Sequence, residues 1–372
     1  MAVTVPHPSR RRTVPDILAR ALEGERVSDE DAVVLLRSRE LVAVGAAANE
    51  LRGRRTNPDE VTFIVDRNVN YTNVCVTDCD FCAFYRRPGD HAEGYVLPTP
   101  IILKKIAETL AIGGTGVLLQ GGHHPDLRID WYERLFRTVK ERFPACHLHA
   151  LSPPEIMHIA RRSRLDVPTV LSRLRDAGLD SLPGGGGEVL VDRVRQIIAP
   201  KKTKTDEWLG VMRHAHRLGI STSATMMYGH VETLEERVEH LRRIRDLQDE
   251  APGFRAFISW TFQDDGNRLG NKVPRERMPT SFDYLLTQAV SRIYLDNVDH
   301  IQSSWVTQGM KIGQVALHFG ADDLGSIMIE ENVVSAAGTT HRAGIEDFRR
   351  LIRAAGKRPV QRDMFYRPVD VA

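Results

Sequence analysis

Short apolar runs alternate with longer segments of helical periodicity from about residue 61 to residue 329. In the longer segments apolar residues recur every three or four positions, as in amphipathic helices, whereas the short runs are typical of buried strands. The alternation predicts parallel strands joined by helices. The predicted strands cover residues 61–66, 116–120, 147–151, 181–182, 221–227, 255–261, 300–305 and 325–329. The predicted helices between them cover residues 99–111, 131–142, 168–177, 206–218, 234–248, 282–296 and 308–318.

Eight strand–helix units in one chain favour a closed barrel over an open sheet, so the predicted fold is an α/β, TIM-type (β/α)8 barrel. Residues 1–59 are a predicted N-terminal helical extension, in which Ser28 begins a helix and residues 1–12 are expected to be a disordered basic tail. The barrel is predicted over residues 60–340. A C-terminal helix and tail over residues 341–372 form a predicted cap. A chain of 372 residues has room for one barrel with these extensions.

Composition narrows the classes of function. Hydrophobic residues make up 42% of the chain and charged residues 27%, which is ordinary globular usage, and no apolar run reaches the roughly 18 residues of a membrane span. The 51 basic and 49 acidic residues give a net charge of +2, so no broad positive field for nucleic acid is expected. Four cysteines, three of them in one loop, do not resemble a secreted disulfide framework and indicate a reducing cytoplasm.

The most specific chemistry follows the first predicted strand. Cys75, Cys79 and Cys82 have the spacing C-x3-C-x2-C, and the remaining cysteine, Cys146, lies 64 residues further on. A structural zinc site or a structural iron–sulfur cluster normally takes four ligands. Three thiolates in one short loop can hold three irons of a [4Fe–4S] cluster and leave the fourth open to a chelating molecule such as S-adenosylmethionine. A zinc site completed by a histidine such as His91 is the alternative.

Further candidates follow other predicted strands, at the end of a barrel where ligands bind. Gly121 and Gly122 follow the second strand, and a tract of four glycines precedes Glu188 after the fourth. Glycine lets a ligand approach the backbone closely. Glu188 suits ribose hydroxyls or an ammonium group, and a helix-start carboxylate is its alternative interpretation. Phe81, which precedes Cys82, suits the shielding of an adenine or a cluster from water, or simple loop packing.

Histidines and lysines complete the polar candidates. His123, His124 and His230 titrate near neutrality and suit proton transfer or polar contacts, although a positioning or solvent-facing role is the simpler interpretation of each. The run at residues 201–204 contains three lysines and is interpreted as a solvated loop, with contact to an anionic ligand as the alternative.

Several segments resemble the radical S-adenosylmethionine superfamily, specifically the branch that contains the futalosine-pathway enzymes of menaquinone synthesis and the deazaflavin synthases. Within that branch the chain looks most like the dehypoxanthine futalosine cyclase family. The similarity runs from about residue 61 to residue 341. It is carried by the cysteine motif with its flanks at residues 70–89, and by residues 120–127, 225–232, 302–305 and 319–326.

This resemblance implies a radical S-adenosylmethionine cyclase that acts on dehypoxanthine futalosine in menaquinone biosynthesis. A 5′-deoxyadenosyl radical would remove a hydrogen from the sugar, and the carbon radical would add to the carboxyphenyl ring. The implied cofactors are a [4Fe–4S] cluster, with Cys75, Cys79 and Cys82 as ligands, and S-adenosylmethionine. The cofactor contacts implied by the family are Gln120, Gly121, Gly122, Glu188 and Arg195, to which Phe81 is added from its place beside Cys82. The residues implied to face the substrate are His123, Tyr228 and His230.

Other assignments stay open within and outside the branch. Aminofutalosine synthase and a deazaflavin synthase subunit would share the cysteine loop and the barrel. A non-enzymatic zinc-binding protein is the alternative of a different class, and a nucleic-acid-modifying enzyme is disfavoured by the near-neutral charge. The expected partners are a small-molecule substrate and a low-potential electron donor such as flavodoxin or ferredoxin, and neither nucleic acid nor a membrane is expected as a partner.

Overall fold

The computed structural model describes residues 13–369, so the expected basic tail at residues 1–12 lies outside the described residues. The strands are β1 Glu60–Ile64, β2 Asp66–Asn70, β3 Gly116–Gln120, β4 His147–Ala150, β5 Ser181–Leu182, β6 Ser221–Tyr228, β7 Phe254–Thr261, β8 His300–Gln302, β9 Asp323–Ser326 and β10 Arg358–Gln361. The helices are α1 Val14–Leu22, α2 Asp29–Leu36, α3 Leu41–Arg55, α4 Thr99–Ala111, α5 Ile129–Arg142, α6 Pro153–Ser163, α7 Val167–Asp176, α8 Asp192–Ile198, α9 Thr205–Arg217, α10 Leu234–Glu250, α11 Ser281–Tyr294, α12 Trp305–Val315 and α13 Ile345–Ala354.

The strands form one parallel sheet that closes on itself. β1 and β2 are separated only by Val65 and together make one barrel strand. β2 pairs with β3, β1 pairs with β9 through Thr62 and Asp323, and the strands from β3 to β9 pair in chain order. All eight strand positions of the predicted barrel are therefore present, and the predicted fold class is confirmed.

The N-terminal helices pack on the outside of the barrel. α2 and α3 lie against α10 and α11, with Leu35 and Val44 buried in the same core as Leu241 and Val290. Each such fully buried aliphatic side chain stabilises the fold by roughly 1.5–3 kcal/mol. The predicted helices at the start of the chain thus share the barrel's core. None of the helices between residues 13 and 369 combines the length and apolar character of a membrane span.

The C-terminal segment, defined here as residues 358–369, joins the barrel at the amino-terminal end of its strands. Its strand β10 pairs in parallel with β1, from Glu60 opposite Arg358 to Phe63 opposite Gln361. The Gln361 side-chain amide donates to the carbonyl of Gly113, just before β3, at 2.7 Å. Only a tail was predicted here, because a short edge strand with a charged residue and a proline has no strand signature.

Candidate functional site

A cavity of about 470 Å³ occupies the interior of the barrel. It is lined at one end by the three cysteines that follow β2 and at the other by Met364 and Tyr366 of the C-terminal segment. Barrel interiors are usually filled by bulky branched side chains. Here many strands present small or polar residues to the interior, among them Asn68, Ser181, Ser223, Thr225 and Gln302. The barrel therefore encloses space for ligands along its axis.

The cysteine loop, residues 75–82, places three free thiols on the cavity wall. Cys79 is buried and Cys75 and Cys82 are half-buried. Burial raises the pKa of Cys79 to about 12. Cys146 is buried at the start of β4, in a different core, and does not line the cavity. Within residues 13–369 no group of three or more His, Cys, Asp or Glu side chains is arranged to hold a metal ion.

Three isolated thiols in one loop fit an iron–sulfur cluster better than structural zinc, which needs a fourth ligand. His91, the example of a fourth ligand in the alternative zinc site, is exposed and does not line the cavity.

The glycine turn, residues 120–122, runs directly beside the cysteine loop. The Gly122 N–H donates to the carbonyl of Thr72 at 2.9 Å. A Cβ on Gly121 would lie 2.6 Å from the ring of Tyr71, and one on Gly122 would lie 2.4 Å from the carbonyl oxygen of Val74. Side chains are thus excluded at both positions. Gln120 and both glycines line the cavity, as the sequence analysis predicted for the turn after the second strand.

Glu155 ties the glycine turn to its surroundings. Its carboxylate accepts bonds from the Gly121 N–H at 2.9 Å and the Tyr71 hydroxyl at 2.8 Å. It also accepts the N–H and the hydroxyl of Ser152, at 2.7 and 2.6 Å, as part of the capping box that begins α6. Burial raises the pKa of Glu155 in spite of these donors. One buried carboxylate therefore connects β2, the glycine turn and α6.

His123 holds the cysteine loop from the other side. Its Nδ1 lies 2.6 Å from the Thr77 hydroxyl, and its carbonyl accepts the Val76 N–H at 3.1 Å. Its ring stacks on that of His158, with centroids 5.1 Å apart. Burial, with further contributions from His158 and Lys202, lowers the pKa of His123 well below its usual value. The imidazole is therefore neutral at neutral pH and suits positioning better than proton uptake.

Glu188 lies at the cavity wall in a cluster of charges. It is 6% exposed, and its Oε1 accepts a bond from the Lys202 ammonium at 2.8 Å. That ammonium also lies 5.1 Å from the centroid of the Phe81 ring, beside Cys82. Burial lowers the pKa of Lys202, but Glu188 and Cys79 outweigh it and raise the pKa overall. Phe81, Glu188 and Lys202 all line the cavity, so charge and an aromatic face meet next to the cysteines.

Arg195 lies behind Glu188 and outside the cavity lining. Its Nη1 is 3.7 Å from Glu188, and its guanidinium donates to the carbonyls of Gly187 at 2.9 Å and Thr203 at 2.8 Å. These bonds fix the backbone on both sides of the charge cluster. The structure therefore gives Arg195 a supporting position, and a direct contact with the cofactor stays a prediction.

Tyr228 and His230 do not line the cavity. On β6 the odd-numbered residues Thr225 and Met227 face the interior, so Tyr228 faces the surrounding helices and stacks under Arg237, 4.2 Å from ring to guanidinium. The His230 ring contacts the Met227 carbonyl at 3.0 Å, and burial lowers its pKa. The arrangement does not support the prediction that these two residues face the substrate.

Lys202 and Glu155 are the site residues that the sequence analysis did not select. The lysine run at residues 201–204 favoured a solvated loop, yet Lys202 is turned inward by Glu188 while Lys201 stays exposed. For Glu155 a signal was present, because a serine followed three positions later by glutamate marks a capped helix start.

Comparison with known proteins identifies the family of this chain. Residues 69–244 match the family model of the radical SAM superfamily, and residues 251–372 match the CofH/MqnC C-terminal region. The chain is 48% identical to a cyclic dehypoxanthine futalosine synthase from Halalkalibacterium halodurans, over 95% of this chain and 94% of that protein. It is 48% identical to a second one from Streptomyces coelicolor, over 94% and 87%.

A more distant relative is the aminodeoxyfutalosine synthase from Thermus thermophilus, which is 40% identical over 97% of this chain and 96% of that protein. The crystal structure of methylornithine synthase has the same fold, with a TM-score of 0.71, 20% identity and coverage of 92% and 97% of the two chains. This chain belongs to the radical SAM superfamily of enzymes, in the group whose members carry the CofH/MqnC C-terminal region.

Proposed function

We propose that this enzyme cyclises dehypoxanthine futalosine to cyclic dehypoxanthine futalosine in menaquinone biosynthesis. The observation that carries the proposal is the 48% identity, over nearly the whole chain, to two proteins named for that activity. Identity to the aminodeoxyfutalosine synthase is lower, at 40%. That relative keeps aminodeoxyfutalosine synthesis as the second candidate.

We propose that Cys75, Cys79 and Cys82 hold a [4Fe–4S] cluster whose fourth iron is left to S-adenosylmethionine. When bound, the cluster and S-adenosylmethionine supply a 5′-deoxyadenosyl radical, which is chemistry that belongs to the cofactor. That radical would take one hydrogen atom from the substrate to become 5′-deoxyadenosine, and one proton would then leave to solvent and one electron to a one-electron acceptor. The cyclic product is therefore two hydrogens lighter than dehypoxanthine futalosine.

The chain's own residues bind and orient the reactants. The glycine turn lines the cavity beside the cysteine loop, so its backbone can contact a methionyl group. Glu188, with Lys202, offers both signs of charge to an amino acid or a ribose. The Phe81 ring covers the Glu188–Lys202 charge pair from one side and excludes water from it. His123 acts by holding Thr77 in the cysteine loop.

We propose a low-potential electron carrier such as flavodoxin or ferredoxin as the reductant, in a reducing cytoplasm where the thiols stay available. Exposed cations surround the two aspartates of the cysteine loop, and such a rim suits an acidic carrier. Lys201 lies 3.0 Å from Asp78, and Lys272 lies 2.6 Å from Asp80. The Arg268 Nε lies 2.9 Å from Asp80.

The test is an anaerobic incubation of iron–sulfur-reconstituted protein with reductant, S-adenosylmethionine and dehypoxanthine futalosine, followed by mass spectrometry. We expect 5′-deoxyadenosine together with a product two hydrogens lighter than the substrate. Deoxyadenosine without that product would keep the radical enzyme and reject the substrate, and the substrates of aminodeoxyfutalosine synthase would be assayed next. A protein that binds one zinc and no iron would contradict the assignment as a whole.

A further inference from the structure

We propose that the end of the cavity opposite the cysteine loop binds the carboxylate of the substrate's carboxyphenyl group. Arg255 is the residue that binds the carboxylate, and the C-terminal segment forms the wall on which the aryl ring packs. This rests on the proposed function, because dehypoxanthine futalosine supplies the carboxyphenyl group.

The length of the cavity separates this end from the cofactor. Arg255 and Thr261 both line the cavity from β7. The six residue steps between them span about 20 Å at roughly 3.3 Å per residue. Arg255 is near the amino-terminal end of the strand, whereas the cysteines follow the carboxyl ends. A cofactor beside the cysteines therefore leaves the amino-terminal part of the cavity to a second ligand.

The charges of the cavity single out Arg255. Three Lys or Arg residues line it within residues 13–369. Lys202 is paired with Glu188 at 2.8 Å, and Arg362 is paired with Asp323 at 2.9 Å between Nη2 and Oδ1. Among the residues described, no carboxylate lies within ion-pair distance of Arg255, so its guanidinium is available for an anionic ligand.

A β-bulge sets the position of Arg255. Thr222 of β6 pairs with Phe254, but the next residue, Ser223, pairs with Ala256. Arg255 is therefore the extra residue of β7, and such bulges redirect side chains at the rims of barrels. Arg255 is exposed and also lines the cavity, which places it where the cavity meets solvent.

The C-terminal segment supplies an apolar wall at the same level of the barrel. Met364 and Tyr366 line the cavity. The Tyr366 ring stacks on His300 at 3.7 Å and has the Arg362 guanidinium over it at 3.8 Å, and His300 pairs with Ala256, the residue after Arg255. The Met364 thioether and the edge of the Tyr366 ring suit contact with an aryl group. Arg362 is paired with Asp323, so Arg255 beside this wall is the cation that matches an aryl carboxylate.

The test is equilibrium binding of dehypoxanthine futalosine and of its aryl carboxamide to the cluster-loaded enzyme with S-adenosylmethionine and no reductant. The carboxamide keeps the size of the group and removes its charge. We expect wild type to prefer the acid by about tenfold to a hundredfold, the range of a charge-assisted hydrogen bond. Arg255→Gln should lose most of this preference, because the acid then gains nothing from its charge.

Arg350→Gln is the matched control, since Arg350 is an exposed arginine on α13 that does not line the cavity. It should keep the wild-type preference. Met364→Trp should weaken both ligands without changing their ratio. An unchanged preference in Arg255→Gln, or no preference in wild type, would overturn the assignment of this site while the enzyme still cyclises the acid. If wild type neither binds nor converts the acid, the proposed function is wrong, and the site assignment that rests on it is rejected with it.

Discussion

Replacing Glu155 with glutamine tests whether one buried carboxylate organises the cofactor end of the cavity. Oε1 receives the Tyr71 hydroxyl and the Gly121 N–H, and Oε2 receives the hydroxyl and N–H of Ser152. In glutamine an NH2 group replaces one of these oxygens. It then faces a backbone N–H in either orientation, and a backbone N–H cannot turn to accept a bond as a hydroxyl can.

The loss of stability in Glu155→Gln follows from the number of donors that lose an acceptor. One buried N–H loses its acceptor, which costs about 1–3 kcal/mol, and the remaining bonds lose their assistance from charge. We expect Glu155→Gln to lower the free energy of unfolding by about 2–4 kcal/mol. In the orientation that puts the NH2 at the Oε1 position, Gly121 shifts away from it, and S-adenosylmethionine should then bind about tenfold more weakly.

The assay compares Glu155→Gln with Ser152→Ala by urea unfolding and by equilibrium dialysis of S-adenosylmethionine with cluster-verified protein. Ser152→Ala removes only the hydroxyl, so both backbone N–H groups keep their acceptor, and we expect a loss of about 1 kcal/mol. If Glu155→Gln were no less stable than Ser152→Ala and bound S-adenosylmethionine as wild type does, the reasoning would be refuted.

Three further outcomes are expected. Cys79→Ala should lose cluster iron and form no 5′-deoxyadenosine, while Cys146→Ala keeps both; equal iron content in the two variants would contradict the ligand assignment. Arg292→Gln should lower the free energy of unfolding by about 3 kcal/mol, because buried Asp322 loses its arginine and keeps only His300 and the Ile301 N–H as partners; an unchanged urea midpoint would count against this. Burial lowers the pKa of His216 from 6.5 to about 4, so the unfolded chain takes up a proton that the folded chain refuses. The contribution of His216 to the free energy of unfolding is complete above pH 6.5 and is lost as the pH falls towards 4, by about 1.4 kcal/mol per pH unit. His216→Gln should therefore make the free energy of unfolding, measured with urea across this range, depend less steeply on pH.

The barrel could be predicted because short strand-like runs alternate regularly with longer segments of helical periodicity. The predicted strand at residues 221–227 and the observed β6 differ by one residue, and even the two-residue β5 was placed correctly. α6 was missed although Pro153 and Pro154 follow a serine, a pattern that favours a helix start. α8 was also missed, since seven residues carry too little periodicity.

The site was predicted less completely than the fold. The strand face that a residue occupies was misjudged, and contacts between residues far apart in the chain leave no local signal in the sequence. The cysteines, the glycine turn and Glu188 were found because ligands bind after barrel strands. Tyr228 was assigned to the substrate although strand alternation, counted from Met227, turns it outward. Tyr366 lies in the same cavity as Cys75 but about 290 positions away, and local sequence has no signal for such a contact.

The pairing of β10 with β1 has a consequence for how the enzyme is made. Glu60 and Arg358 pair across 298 positions, which is a contact of very high sequence separation and is slow to form. Chains are synthesised from the N-terminus at about 5–20 residues per second. The cysteine loop is therefore synthesised well before Met364 and Tyr366, which line the opposite end of its cavity. Until these residues have been synthesised, the thiols lie in a cavity that lacks the wall formed by the C-terminal segment.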